Sequence, residues 1–160
     1  MEPAWLQAAR GDLGTRELPG APTAPKIAGW LSSLGAWWND DETPWCGVAV
    51  AHWMQGAGQS LPEHWYRAKG WLDWGLSLTV PVLGCVVVFE RAGGGHVGLV
   101  VGKDAGGHLM VLGGNQGDAV RISAFEMARV VGYRWPGTDR PQYAELPLLL
   151  ASGATSTNEA

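Results

Sequence analysis

One cysteine in this chain stands where a nucleophile would. Thr43-Pro44-Trp45-Cys46 leads into the apolar run Gly47-Val48-Ala49-Val50-Ala51-His52-Trp53-Met54. Thr43 suits a helix-capping position and Pro44 the first helical one, so the pattern predicts a helix with Cys46 in its first turn. At such a helix start the unpaired backbone N–H groups and the positive end of the macrodipole favour a thiolate. With an imidazole nearby, a thiol pKa falls from about 8.5 into roughly the 3.5–7.5 range and the sulfur becomes reactive. The competing reading makes Cys46 a small buried hydrophobe. Cys85, in Gly84-Cys85-Val86-Val87-Val88-Phe89, reads as an inert thiol of a strand, with no capping signal beside it.

Four histidines are available as a base. His96 opens the strand-like Gly94-Gly95-His96-Val97-Gly98-Leu99, with glycines on both sides that let backbone or substrate approach closely. It is the candidate general base. His52 follows Cys46 on the same predicted helix, but at about 100° per residue its side chain diverges from the sulfur, so packing is its expected role. His64 falls in a loop that could line a groove, and His108, after Gly106-Gly107, is expected to be solvated. An imidazole that accepts a thiol proton is held in one tautomer by a third group. Asn115, in Leu112-Gly113-Gly114-Asn115-Gln116, can reach His96 if the two strands are antiparallel neighbours; taken alone, beside two glycines, it reads as a turn residue. Asp118 is the reserve. The backbone N–H of Cys46 is the expected oxyanion donor, with the Gln116 side chain as a second possibility.

The elements that must position these groups follow from periodicity and breakers. An apolar stretch from Pro3 to Arg10 and a helix carrying Ile27, Trp30, Leu31 and Leu34, stopped by Gly35, precede the Cys46 helix, which is apolar nearly all round and so centrally buried. Trp65 to Trp74 fits a short helix. Beyond Pro81, strands are expected at Leu83–Glu90, Val97–Lys103, Leu109–Leu112, Ala119–Ile122 and Val131–Trp135, with turns at 93–95 and 106–107. Helices first and an antiparallel sheet second define an α+β fold. One domain over residues 1–136 is expected, followed by a flexible tail over 137–160.

Composition excludes several classes. With 160 residues, 46% hydrophobic and a net charge of −4, the chain can bury a core and has no basic surface for nucleic acid. Two cysteines make no disulfide scaffold. No run approaches the roughly 20 apolar residues that span a bilayer, and no secretory signal is visible, so synthesis in the cytoplasm and no membrane insertion are expected. Asp40-Asp41-Glu42 lacks the alternation of a calcium loop, and no zinc or phosphate-loop motif is present, so neither metal nor cofactor is expected.

Thr43-Pro44-Trp45-Cys46, Gly95-His96-Val97-Gly98 and Leu112-Gly113-Gly114-Asn115-Gln116 together resemble the CHAP and NlpC-type cysteine peptidase and amidase superfamily, a papain-like clan. The resemblance runs from about Trp5 to Pro136. It is nearest to a compact single-domain bacterial and phage branch that also carries the stretches found here at Asp40–Cys46, Trp71–Gly75 and Gly132–Pro136. Gly84-Cys85 departs from it, because the family often has Asp after that Gly. The resemblance implies a papain-like fold and hydrolysis of a peptidoglycan amide bond by Cys46, His96 and Asn115, at the cell wall after lysis or injection. A holin, a secretion system or an immunity protein are then the expected partners. Trp45, Trp71 and Gln116 are candidates to line the substrate groove, core packing being the alternative for the tryptophans. A noncatalytic Trp-rich wall-binding module, or a papain-like protease or acyl transferase acting on proteins, remain the competing functions.

Overall fold

The computed structural model describes residues 2–18, 23–38 and 44–149. Helix α1 (Ala4–Gly11) buries Trp5, Leu6 and Ala9, and the Trp5 indole N–H donates to the Gly84 carbonyl at 2.7 Å. Helix α2 (Pro25–Leu34) starts on a proline, whose missing N–H costs nothing there, and stops at Gly35, whose φ of 74° is the left-handed conformation a glycine adopts without strain. Helix α3 (Cys46–Gly56) buries eight residues from Cys46 to Met54, as expected of a segment apolar on every side. Its start differs from the expected one. Trp45 holds the capping position with no side-chain cap, Pro44 precedes the helix, and Thr43 lies outside the described residues.

Asp12, just past α1, joins the three helices. Its carboxylate accepts from the Trp53 indole at 2.8 Å and pairs with Lys26 at 2.8 Å. His52 also lies over this junction, its ring stacked on Trp30 at 4.8 Å, which is the packing role expected for it. Burial holds the His52 pKa below its ordinary value, the Asp12 charge opposing and the Lys26 charge adding to the shift.

A 3-10 helix (Ala68–Asp73) connects to the strands β1 (Leu76–Leu78), β2 (Val86–Arg91), β3 (Gly94–Lys103), β4 (Leu109–Gly113), β5 (Arg121–Phe125) and β6 (Val130–Trp135). They form one six-stranded sheet in the order β1-β6-β2-β3-β4-β5, every neighbouring pair antiparallel. The fold is therefore α+β. One face of the sheet (Val86, Val88, Val97, Leu99) packs on the helices, and the other (Val87, Phe89, Val100, Val111, Phe125) forms a second apolar cluster. Both faces are covered, which is why these strands read as continuous apolar runs without alternation.

Three strands differ from expectation. β3 begins at Gly94, inside the turn expected at 93–95, because Gly94 and Gly95 pair with Arg91 and Glu90. β1 is a three-residue edge strand, too short to leave a period. β5 begins at Arg121 because Ala119 and Val120 are taken by the N-terminal segment: Gly14 donates to the Val120 carbonyl, Val120 to that of Thr15, and Arg16 bridges Ala119. The segment expected as a loose tail from residue 137 is bonded to the sheet at its far end, where Lys103 donates to the Pro147 carbonyl and Leu149 to that of Lys103. Residues 150–160 lie outside the described residues. No helix among the described residues is long and apolar enough to cross a membrane.

The β3–β4 turn sets the register of the two strands that carry the site. Asp104 closes it, its Oδ1 accepting from the backbone of Gly106 at 2.9 Å and of His108 at 2.8 Å, while Oδ2 faces the His108 ring at 2.9 Å. His108 is thus tied down and not simply solvated. The backbone bond from His108 holds the Asp104 carboxyl below its usual value against the cost of burial, with the His108 side chain adding to it. The bond to Asp104 in turn raises His108, again against burial, with the charges of Asp104 and Glu126 assisting. A depressed carboxyl stabilises above its unfolded pKa and loses that contribution as pH falls through the folded value. A raised histidine stabilises below its unfolded pKa and loses it as pH rises through the folded value. The turn is therefore firmest between about pH 4 and 6.5, the ordinary values of the two groups. Asp104→Asn should lower the melting temperature throughout that window and flatten the acid limb of a stability–pH curve; an unchanged acid limb would count against the assignment.

Candidate active site

Cys46 is the first residue of α3 and is 4% exposed, while His96 on β3 is fully buried. Burial alone would push the Cys46 thiol up. The hydrogen bond to the His96 side chain and the charge of that ring oppose it, together with N–H donation from Val97 and Gly47, and they outweigh it, so the thiol pKa lies below its ordinary value. The topology explains how a strand N–H comes to face a sulfur. β3 and β4 are paired at Leu99↔Leu112, but β4 ends at Gly113 and leaves β3 before Val97, two residues away, can pair with it. The Val97 N–H that would have joined the next rung is directed at Cys46 instead. Gly47 supplies the second N–H from the uncapped first turn of α3.

The other end of the imidazole is set by Gln116. His96 Nε2 and Gln116 Oε1 are 2.9 Å apart, and Gln116 Nε2 donates to the carbonyls of Val111 at 3.1 Å and Arg121 at 2.8 Å. Those two bonds use both amide hydrogens, so the oxygen must face the ring, and an amide oxygen only accepts. His96 Nε2 therefore carries the hydrogen, and Nδ1 is the nitrogen left for the sulfur. The ring is also stacked on Phe125, at 5.4 Å and 11° between planes.

The expected third residue is thus displaced by one position. Asn115 is buried, with a φ of 60°, the left-handed conformation that Asn tolerates better than most residues. It turns the chain, and the turn aims the next side chain at His96. Asp118, the reserve, also has positive φ, and its carbonyl accepts from the Glu17 N–H. Glycines make the space: a Cβ on Gly113 would collide with Gln116 Oε1, and one on Gly114 would come within 2.7 Å of Ala49 and Trp45.

Trp45 and Trp71 do not line an open groove. They are 1% and 0% exposed, and their indole N–H groups are engaged with Glu17 Oε1 at 3.2 Å and the Trp65 carbonyl at 3.0 Å. Glu17 thereby secures the residue preceding Cys46. Gln116, also a groove candidate, is fully buried against His96. Cys85 matches its expected inert role, burial pushing its thiol up to about 12. The open aromatic surface lies elsewhere, at Trp37, Trp38, Trp65 and Tyr66, and the consecutive tryptophans 37 and 38 were its only trace in the sequence.

No family model, curated protein or solved structure matches this chain. Among the described residues no group of three His, Cys, Asp or Glu is placed to hold a metal ion; Asp40-Asp41-Glu42 lies outside them.

Gln116→Leu would leave the buried His96 N–H and two backbone carbonyls without their partner, a loss of about 3 kcal/mol. Gly113→Ala should remove the same bond by collision and destabilise comparably. In denaturant unfolding the double variant should then cost clearly less than the sum of the two; additive losses would show that the wedge at 113 acts on something else.

Proposed function

We propose that this protein is a thiol hydrolase of amide bonds with a papain-like site, that Cys46, His96 and Gln116 carry the reaction, and that its substrate is bacterial peptidoglycan. The observation that carries the chemistry is the placement of Cys46, at the uncapped start of a helix, beside an imidazole whose far nitrogen is held by an amide. A structural cysteine needs no such arrangement, as Cys85 illustrates. The wall as substrate rests on the resemblance of the three motifs to CHAP and NlpC-type enzymes.

The Cys46 proton passes to His96, and the thiolate attacks the amide carbonyl carbon. Charge moves to the carbonyl oxygen, near the uncapped start of α3, where the Cys46 N–H is the donor we assign. His96 then protonates the departing amine, leaving a thioester on Cys46. Water, deprotonated by the same ring, attacks the thioester and releases a carboxylate and the thiol. Gln116 Oε1 accepts from His96 Nε2 throughout and is better placed when the ring is charged, since a charged donor makes the stronger bond.

Incubation with purified sacculi should release new amine and carboxyl termini, identified by mass spectrometry of the muropeptides. Cys46→Ala should lower the rate by at least about 10³-fold while the protein still sediments with sacculi. Wild-type protein that leaves sacculi intact would remove the wall as substrate, and cleavage of a protein or acyl transfer instead would assign the same chemistry to another class.

A further inference from the structure

We propose that Trp37, Trp38, Trp65 and Tyr66 form a sugar-binding subsite beside Cys46 that holds the glycan strand of the substrate. The proposal rests on the wall-hydrolase reading for the identity of that glycan. Trp37 is 75% exposed, the largest exposure among the large hydrophobic side chains described. Its ring meets Trp38 at 4.7 Å and Tyr66 at 4.9 Å, both nearly perpendicular, and Trp38 in turn stacks on Trp65 at 6.0 Å. Edge contacts of this kind hold an indole in place without covering it. A cluster of aromatic rings left open to solvent is the kind of apolar surface that marks a binding site.

The surroundings suit a sugar. A pyranose presents an apolar C–H face ringed by hydroxyl and acetamido groups, so its complement is an aromatic face ringed by hydrogen-bonding groups. Here the rim holds the Tyr66 hydroxyl, 3.0 Å from His64 Nδ1, and the Arg67 guanidinium over the Tyr66 ring. The Trp38 indole N–H is buried and has no acceptor among the described residues.

The patch is also continuous with the nucleophile. Gly47, next to Cys46, lies so close to the Trp65–Tyr66 backbone that a Cβ there would be 2.6 Å from the Trp65 carbonyl oxygen. The backbone carrying two of the four rings thus passes beside the helix that begins at Cys46.

The test uses the full chain carrying Cys46→Ala, titrated with peptide-free peptidoglycan glycan strands and, separately, with stem peptide lacking sugar, while indole N–H resonances are followed by NMR. Glycan should shift the Trp37 and Trp38 signals and stem peptide should not. Adding Trp37→Ala, a substitution at an exposed position, should weaken glycan binding about tenfold. In the active protein Trp37→Ala should raise the amount of sacculi needed for half-maximal rate. Unmoved indole signals, equal glycan affinity of the Trp37→Ala protein, or shifts produced by stem peptide alone would each overturn the subsite. Glycan binding at Trp37 by a protein that digests no sacculi would uphold the subsite and overturn the hydrolase reading.

Discussion

A buried imidazole that must take up charge beside a buried sulfur needs both of its nitrogens fixed, because water is not there to answer for either. At this site the burden falls on one amide. Gln116 accepts from His96 through its oxygen and is prevented from flipping by the two carbonyls its nitrogen serves. Much of the local backbone follows from that requirement. β4 stops at Gly113, Gly113 and Gly114 leave room for the amide and for the start of α3, and Asn115 turns the chain through a positive φ so that the next residue points back at the ring.

The same parting of strands produces the nucleophile's environment. Where β4 turns away, β3 is left with an N–H directed outward from its edge, and the uncapped beginning of α3 fills the gap with a sulfur. A thiolate there receives N–H donation from a strand and a helix at once, and the imidazole supplies charge. Of Cys46, His96 and Gln116, only Cys46 has any exposure, and that is 4%.

How much of this was legible in sequence depended on the reach of the signal. Cys46 and His96 were marked by neighbours in the chain: Pro44 and an apolar run for one, flanking glycines for the other. The α+β order was equally local, since helical spacing gives way to Val-rich runs at Pro81. Asn115 and Gln116 carry the same functional group, so the sequence could not say that Gln116 is the amide bonded to His96 Nε2, while Asn115 sits in the turn before it with a positive φ. β5 moved because Ala119 and Val120 bond to Thr15 and Arg16, a pairing far away in the chain. The tryptophans were hardest to place. An indole reads alike whether it is buried, as at 45 and 71, or open, as at 37, and what separates them is which backbone passes over it.

The central claim is that His96 lowers the Cys46 thiol against the cost of burial, and the most direct measurement is the pH dependence of Cys46 alkylation. Cys85, at about 12, stays silent across the range. The wild-type rate should remain high below the ordinary thiol value of 9.0, and His96→Ala should move the whole profile upward, since burial is then left with less to oppose it. Superimposable profiles for the two proteins, both rising near or above 9.0, would contradict the account.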